Sequence, residues 1–263
     1  MTLGWILLTN DDGVDSPALV PFARSLADLG EVRVVVPDGE RSWSGKSITR
    51  FDPVRMEAVE RGGIEMLAHS GTPADGVQIA GIHFETRPSL VVSGINLGYN
   101  HGAGYLWSSG TFGAAVEGWV GGIPSVAVST GTMSGWSEWR RSVHAEAAVA
   151  RWVELADVGA EVVESLVDAA GAADVWSVNM PWESTPQTPR RVTRVAQTSY
   201  DSLFAKRGVD TFVHDFGGGL EHRSSVDGND VQAAHDGVVS ITPIQMPRAA
   251  EVDRGLVERL ERG

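Results

Sequence analysis

The chain has 263 residues, with 34 acidic and 21 basic side chains, a formal net charge of −13 and no cysteine. The absence of cysteine excludes thiol catalysis, disulfides and thiolate-bound zinc, and the negative charge argues against general binding of nucleic acid, which needs a basic surface. The N-terminus lacks the basic start of a signal peptide, and no apolar stretch approaches the roughly 18 residues of a membrane span. We therefore expect a cytoplasmic protein with no nucleic-acid or membrane partner.

The first half of the chain alternates strand and helix patterns. In chain order the predicted elements are a strand at 5–9, a helix begun by Ser16 and Pro17, a strand at 32–36, a hairpin at 51–58 and 64–69, a helix capped by Thr72, a strand at 90–92, a helix at 111–120 and a strand at 126–128. Strands separated by helices predict an α/β fold with a doubly wound, mostly parallel sheet. In such sheets ligands bind beyond the carboxyl ends of the strands.

The second half is less regular. Its predicted elements are helices at 142–156 and 160–170, strands at 175–178, 192–196, 211–216 and 238–242, and a terminal helix at 252–260. No repeat or linker divides the chain. Residues from about 182 onward could form a subdomain or an oligomerisation arm.

Asn10-Asp11-Asp12-Gly13 follows the first predicted strand. Paired aspartates in such a place are usually a turn or a helix cap. They could also hold a hard cation, because adjacent carboxylates repel unless a positive charge or a proton lies between them. An aspartyl-phosphatase motif would require a carboxylate at position 10, where this chain has an amide, so that mechanism is disfavoured.

The segment 39–49 follows the second predicted parallel strand and resembles a phosphate-binding P-loop. Five residues separate Gly39 from Gly45, where the motif requires four, and the sequence after Lys46 is extended rather than helical. The P-loop interpretation fails on both counts. What remains is a loop rich in hydroxyl groups, or a plain surface loop.

Glycine is concentrated in one segment: nine of the 29 residues from Gly94 to Gly122 are glycine. A dinucleotide-binding fingerprint is excluded because Trp107 occupies the place of its third glycine. Ser109, Gly110 and Thr111 precede a helix and offer hydroxyl and N–H groups to an anion, or they simply cap that helix. The seven histidines show no metal-ligand spacing, and only His101 has polar neighbours that make it a weak candidate. The nine tryptophans are scattered and are expected in the core or at an interface.

Taken together, these clusters resemble the SurE family of survival-protein nucleotidases. The matching segments are 9–13, 37–38 with 41–42, 47–49, 71–75, 92–100, 109–111 with 114–118, 179–181 and 240–243. Each is short, but they occur in the family's order across most of the chain. The region 198–235 and Lys46 depart from the family pattern.

The resemblance implies a Rossmann-like catalytic domain, 1–181, and a C-terminal arm of hairpin and helix, 182–263, which completes one fold and makes the contacts of a homodimer or homotetramer. It implies one divalent metal ion per subunit, held by Asp11, Asp12, Ser42 and Asn96. It places the substrate phosphate on Asn96, Asn100, Ser109, Gly110 and Thr111, and we add Lys46 because it lies beside the expected site. The catalytic residues it implies are Asp11, Asp12, Asn100 and Ser109.

The implied activity is that of a 5′-nucleotidase, a phosphoric monoester hydrolase that acts on nucleoside monophosphates with a metal-activated water. Oxygen ligands without thiolate or imidazole suit Mg²⁺, Mn²⁺ or Ca²⁺. Two alternatives stay open. One is a non-catalytic nucleotide-binding module that uses the same loops, and the weaker one is a nicotinamide-dependent oxidoreductase, against which the missing glycine fingerprint counts.

Overall fold

The structure, a computed structural model, describes residues 4–169, 171–216 and 219–261. Its strands are β1 (Trp5–Thr9), β2 (Glu31–Pro37), β3 (Met56–Arg61), β4 (Ile64–His69), β5 (Leu90–Leu97), β6 (Ser125–Gly131), β7 (Val175–Pro181), β8 (Arg190–Val192), β9 (Thr198–Tyr200), β10 (Phe204–Lys206), β11 (Phe212–His214), β12 (Leu220–His222) and β13 (Val239–Ile244). Its α-helices are α1 (Leu19–Leu26), α2 (Pro73–His83), α3 (Gly102–Ser108), α4 (Gly110–Val120), α5 (Trp136–Ser142), α6 (Val149–Val167), α7 (Asp230–His235) and α8 (Arg254–Leu260).

The fold is built on a nine-stranded sheet in the order β3-β4-β2-β1-β5-β6-β7-β13-β8. Six neighbouring strands run parallel: β4, β2, β1, β5, β6 and β7. On either side of them the pairing is antiparallel, between β3 and β4 and between β13 and β7. The predicted α/β class with a mostly parallel sheet is confirmed. Residues after 222 return to this sheet through β13, which lies between β7 and β8.

Helices cover both faces of the sheet because side chains alternate along each strand. Ile6 and Leu8 of β1 belong to the core beneath α1 and α6, whereas Trp5 and Leu7 pack with residues of α2 and α4 on the opposite face. The largest fully buried side chain, Trp152 of α6, lies in the first of these cores. Because helices pack on both faces of the sheet, the ends of its strands, where the polar loops begin, are held in place.

Several element boundaries differ from the predicted ones. The first helix begins at Leu19 rather than at Pro17, and the Ser16 hydroxyl makes no cap hydrogen bond. A single helix, α6, replaces the two predicted at 142–156 and 160–170, because Gly159 lies within it and packs against Phe22; residue 170 is outside the described residues. The predicted strand at 90–92 continues to Leu97, with a register shift between Ser93 and Asn96.

Within 198–222 the described residues form two small two-stranded sheets outside the main one, β10 with β11 and β12 with β9. The predicted strand at 211–216 is present as the shorter β11, and the one at 192–196 ends already at Val192 as β8. Within the described residues no helix combines the length and apolar content needed to cross a bilayer.

Candidate active site

A cavity of about 1200 Å³ opens beside the loops that follow β1, β2 and β5. Its wall includes Asp11, Ser42, Asn96, Asn100 and Ser109, all of them predicted site residues. The long loop after β2 carries Ser42, and the segment between β5 and α4 carries Asn100 and Ser109. The parallel strands thus bring residues from three separate parts of the sequence to one edge of the sheet.

Asp11 and Asp12 lie where β1 ends, facing the start of α4. The Thr111 hydroxyl donates to Asp11 Oδ1 at 2.5 Å, and the Leu97 N–H donates to Asp12 Oδ2 at 3.0 Å. Burial raises the pKa of Asp11 above its usual value although hydrogen bonds from Thr111 oppose the shift. Burial, followed by the charge of Asp11, raises the pKa of Asp12 well above its usual value. The pair therefore lacks the counter-charge that two neighbouring carboxylates need.

The oxygen atoms around this pair suit a hard cation. No ion pair joins Asp11 or Asp12 to a basic side chain anywhere in the described ranges. The Asn96 amide nitrogen donates to the Gly98 carbonyl at 2.7 Å, which leaves the amide oxygen as the available ligand atom. The described residues contain no cluster of three or more His, Asp or Glu side chains that could hold a metal, so a site here requires amide and hydroxyl oxygens.

Ser42 is connected to a charge pair that spans the rim of the cavity. Its hydroxyl donates to Glu40 at 2.6 Å, and Arg140 of α5 donates to both oxygens of Glu40 at 2.8 and 2.9 Å. Burial raises the pKa of Glu40, but the hydrogen bonds from Ser42 and Arg140 lower it on balance. With its proton directed to Glu40, the Ser42 oxygen keeps its lone pairs for another ligand.

The residues expected to hold a phosphate divide into two groups. Asn100 and Ser109 line the cavity and are 6% and 7% exposed. The Ser109 hydroxyl accepts the Phe112 N–H at the start of α4 and can still donate its own proton. Gly110 and Thr111 are not among the residues that line the cavity, and the Thr111 hydroxyl donates to Asp11.

Lys46 is not among the residues that line the cavity. Its ammonium forms an ion pair with Glu117 of α4, a carboxylate that also accepts the side-chain N–H of Gln78 from α2. Glu117 is 4% exposed, so the pair neutralises a buried charge between two helices. The structure therefore gives Lys46 a different partner from the expected phosphate, and we leave it out of the site.

Several positions in the segment 94–122 are glycine because neighbouring atoms lie too close to leave room for a side chain. A Cβ on Gly113 would stand 2.2 Å from the Gly45 carbonyl oxygen, so α4 can lie against the 39–49 loop only with glycine there. A Cβ on Gly110 would meet Asp11 at 2.8 Å. Gly110 and Gly113 bring the loop, α4 and Asp11 together without lining the cavity, whereas Gly98 is part of its wall.

Part of the cavity wall was not predicted from the sequence, which indicated only His101 as a weak candidate. Trp43, Tyr105, His214 and Phe216 form an aromatic wall, and His101, His222 and His235 line the cavity near it. Several of these come from the C-terminal arm, more than 100 residues from the Asp11 loop in sequence. No short motif signals such a set, because only the packing of the arm brings its members together.

Comparison with known proteins agrees with the fold. The family model described as survival protein SurE matches residues 6–202. A protein named 5′-nucleotidase SurE from Methanocella arvoryzae is 33% identical over 265 residues, covering 98% of this chain and 97% of its own. Another of that name, from Methanothrix thermoacetophila, is 35% identical over 259 residues, covering 95% and 96%.

A solved structure, the crystal structure of Sure protein from Aquifex aeolicus, superposes with a TM-score of 0.73. It is 28% identical, and the match covers 98% of this chain and 100% of that one. The similarity therefore includes the segment after residue 202 as well as the part that the family model matches.

Proposed function

The chain belongs to the SurE family, a hydrolase family whose relatives above are named 5′-nucleotidases, and on that premise we propose that it hydrolyses nucleoside monophosphates to nucleoside and phosphate with a divalent metal ion. The observation that carries the proposal is the Asp11–Asp12 pair. Both carboxyl groups have raised pKa values, and neither forms an ion pair in the described part of the chain. A cation bound there would remove the repulsion between them.

The chain offers four oxygen donors for that cation. Asp11 and Asp12 supply charge, and Ser42 and Asn96 supply neutral oxygens whose hydrogen bonds direct the attached protons elsewhere. Such a donor set suits Mg²⁺, Mn²⁺ or Ca²⁺. A bound ion of this kind would lower the pKa of a coordinated water and offset charge on the phosphoryl oxygens.

The protein residues position the phosphate and the acid pair. Asn100 is fixed because its backbone N–H donates to Asn179 and its side chain donates to Ser129, both at 2.8 Å. Ser109 lies at the N-terminus of the eleven-residue helix α4, where the helix dipole favours an anion. Thr111 holds Asp11 in orientation. We assign phosphate binding to Asn100 and Ser109, and orientation of the attacking water to the acid pair.

We also propose a homo-oligomer that uses the C-terminal arm. Phe204 and Phe212, on the β10–β11 hairpin, are 58% and 61% exposed, and Val209 at its tip is 84% exposed. An apolar set of this kind on a narrow projection favours burial against a second copy of the chain.

The proposal is tested with Asp12→Asn, which removes one charge and keeps the shape. We expect phosphate release from nucleoside monophosphates to be lost and Mn²⁺ binding, measured by calorimetry, to weaken strongly. In metal-free buffer at pH 7 the variant should melt at a higher temperature than the parent, because a carboxyl group whose pKa is raised by folding destabilises the fold once it is ionised.

The matched control is Asp15→Asn, in the same loop. Asp15 is exposed and pairs with Arg61 at 2.9 Å, so metal binding and turnover should be unchanged. Metal-dependent phosphate release that persists in both Asp11→Asn and Asp12→Asn would contradict the proposal.

A further inference from the structure

Trp43 combines a strained backbone with an exposed ring inside the cavity. It follows Ser42 directly, and 39% of its surface is exposed. Its φ is +63°, in the left-handed region that residues with side chains rarely adopt. Such strain persists only where surrounding contacts hold it, and it is found most often at ligand-binding positions.

The contacts that hold Trp43 are other aromatic rings. Its ring centroid lies 5.1 Å from that of His214, 5.4 Å from Phe216 and 6.2 Å from Tyr105. These are the members of the aromatic wall, and they fall in the range for paired rings. A cluster that served only packing would bury its largest ring, yet Trp43 stays exposed to the cavity. The wall therefore presents a flat apolar surface one residue away from the proposed metal ligand.

His101 adds an unsatisfied polar group beside the same wall. It follows Asn100, lines the cavity, and is 4% exposed. Its ring stacks on Tyr99 at 4.8 Å and lies 5.9 Å from Tyr105, but neither ring nitrogen has a hydrogen-bond partner among the described residues. Burial lowers the pKa of His101 to about 4, so at neutral pH it offers one donor and one acceptor. Buried polar atoms without a partner are rare and indicate a missing one.

We propose that the aromatic wall and His101 form a subsite for the purine or pyrimidine base of the substrate, in which Trp43 stacks on the base and His101 hydrogen-bonds its edge. A base offers a π face together with donors and acceptors on its edge, which a sugar alone does not. Stacking tolerates every base, so the subsite favours nucleotides over other phosphomonoesters without selecting strongly among bases. The role of this subsite in substrate turnover rests on the proposed function.

The test compares adenosine 5′-monophosphate with ribose 5-phosphate, which carries the same phosphate and sugar but no base. In Trp43→Ala we expect KM for the nucleotide to rise about tenfold, the effect of losing one base–aromatic stack, with KM for ribose 5-phosphate unchanged. Trp43→Phe keeps a ring and should stay within about threefold of the parent. His101→Phe keeps the stack on Tyr99 and should raise KM for the nucleotide alone. An equal change for both substrates, or no change for either, would overturn the subsite.

Binding of adenosine, measured by equilibrium dialysis, separates the subsite from the reaction because adenosine has no phosphate to release. If the parent protein hydrolyses neither phosphate, the proposed function fails, whereas adenosine binding that Trp43→Ala abolishes still supports the subsite. If the parent hydrolyses nucleotides but Trp43→Ala binds adenosine as the parent does, the subsite fails and the function stands. Phe51→Ala, an aromatic side chain 85% exposed and outside the cavity wall, is the control and should change neither measurement. Should Trp43→Ala not fold by near-ultraviolet circular dichroism, Trp43→Leu takes its place.

Discussion

At the scale of single residues, a buried partner decides what a charged side chain does. Lys46 lies in a loop rich in hydroxyl groups and could have reached a phosphate, but it pairs with Glu117, whose side chain is 5% exposed. Sequence alone could not indicate this pairing, because 71 residues separate the partners and Glu117 belongs to a helix whose other residues are small or apolar. The charge of Lys46 serves stability.

Replacing Lys46 with alanine should therefore destabilise the fold without weakening substrate binding. Loss of one partner from a buried ion pair costs about 3–5 kcal/mol, and because Lys46 is itself about a third exposed we expect about 2–3 kcal/mol. Urea denaturation measures the loss, and the double variant Lys46→Ala, Glu117→Gln should recover part of it. A raised KM for nucleotides together with unchanged stability would instead place the ammonium at the phosphate.

Buried His101 predicts a dependence of stability on pH. Its pKa is about 4 in the folded state against 6.5 when exposed, so between these values the unfolded chain binds more protons and stability must rise with pH. The free energy of unfolding keeps its full value above pH 6.5, where His101 is neutral in both states. It falls by up to about 3 kcal/mol as the pH decreases towards 4.

His101→Phe should reduce the slope of the stability profile between pH 4 and 6.5, as measured by chemical denaturation without ligand, but should not abolish it, because burial also lowers the pKa of His69 to about 4. His83→Gln, at an exposed position in α2, is the control and should leave the slope as it is. A slope that is unchanged in His101→Phe would show that His101 does not contribute to it.

At the scale of elements, local signals were predictable and tertiary ones were not. The Thr72 cap followed by Pro73 predicted α2 correctly, because the two signals are adjacent in sequence, and the structure adds Asp75 to form a capping box. The helix α3 was missed: its glycines disfavour a helix, and it is held by hydrogen bonds from Gly102 to Asp230 and from Gly104 to Thr198. Contacts with distant parts of the chain override local propensity there.

The same capping box connects the fold to the site. Asp75 accepts the N–H groups of Thr72 at 2.8 Å and of Thr49 at 3.0 Å, and the Thr72 hydroxyl donates to the Ser47 carbonyl at 2.6 Å. The loop that carries Ser42 is thereby attached to the start of α2. Family resemblance marked these residues as a motif, and the structure gives them a positioning role.

Asp75→Ala should therefore reduce metal affinity as well as stability. Loss of this buried acceptor leaves two N–H groups without a partner, which we expect to cost about 1–3 kcal/mol. Calorimetry with Mn²⁺ should show weaker binding because Ser42 is less well held. Asp253→Ala removes the cap of α8, a helix without buried residues, and should leave metal affinity unchanged. Equal affinity in Asp75→Ala and the parent would mean that the loop is positioned without α2.

At the scale of the whole molecule, the predictable part is the sheet and the unpredictable part is the arm. The pattern of apolar strands followed by polar turns predicted the α/β class. It also predicted the edge of the sheet at which Asp11, Asn96 and Ser109 lie. The wall contributed by His214 and Phe216 depends on how residues 198–222 fold back, and their short strands carry little periodicity. Long-range packing without a local pattern cannot be inferred from one sequence.

The exposed hairpin β10–β11 leads to a prediction about assembly. Phe212→Glu places a charge in the proposed contact and should convert a dimer or tetramer to monomers, as measured by analytical ultracentrifugation. Phe51→Glu, which alters an even more exposed ring elsewhere, should leave the assembly unchanged. A parent protein that sediments as a monomer would contradict the proposed contact.

The central claim is that a cation held by Asp11 and Asp12 enables hydrolysis of a phosphate monoester. The most direct measurement is phosphate release from a panel of nucleoside monophosphates, diphosphates and polyphosphate, with Mg²⁺, Mn²⁺ or Ca²⁺ and with a chelator. We predict release from the monophosphates with at least one of these ions and none with the chelator. Tight nucleotide binding without release under any of the three ions, or release that the chelator does not affect, would contradict the claim.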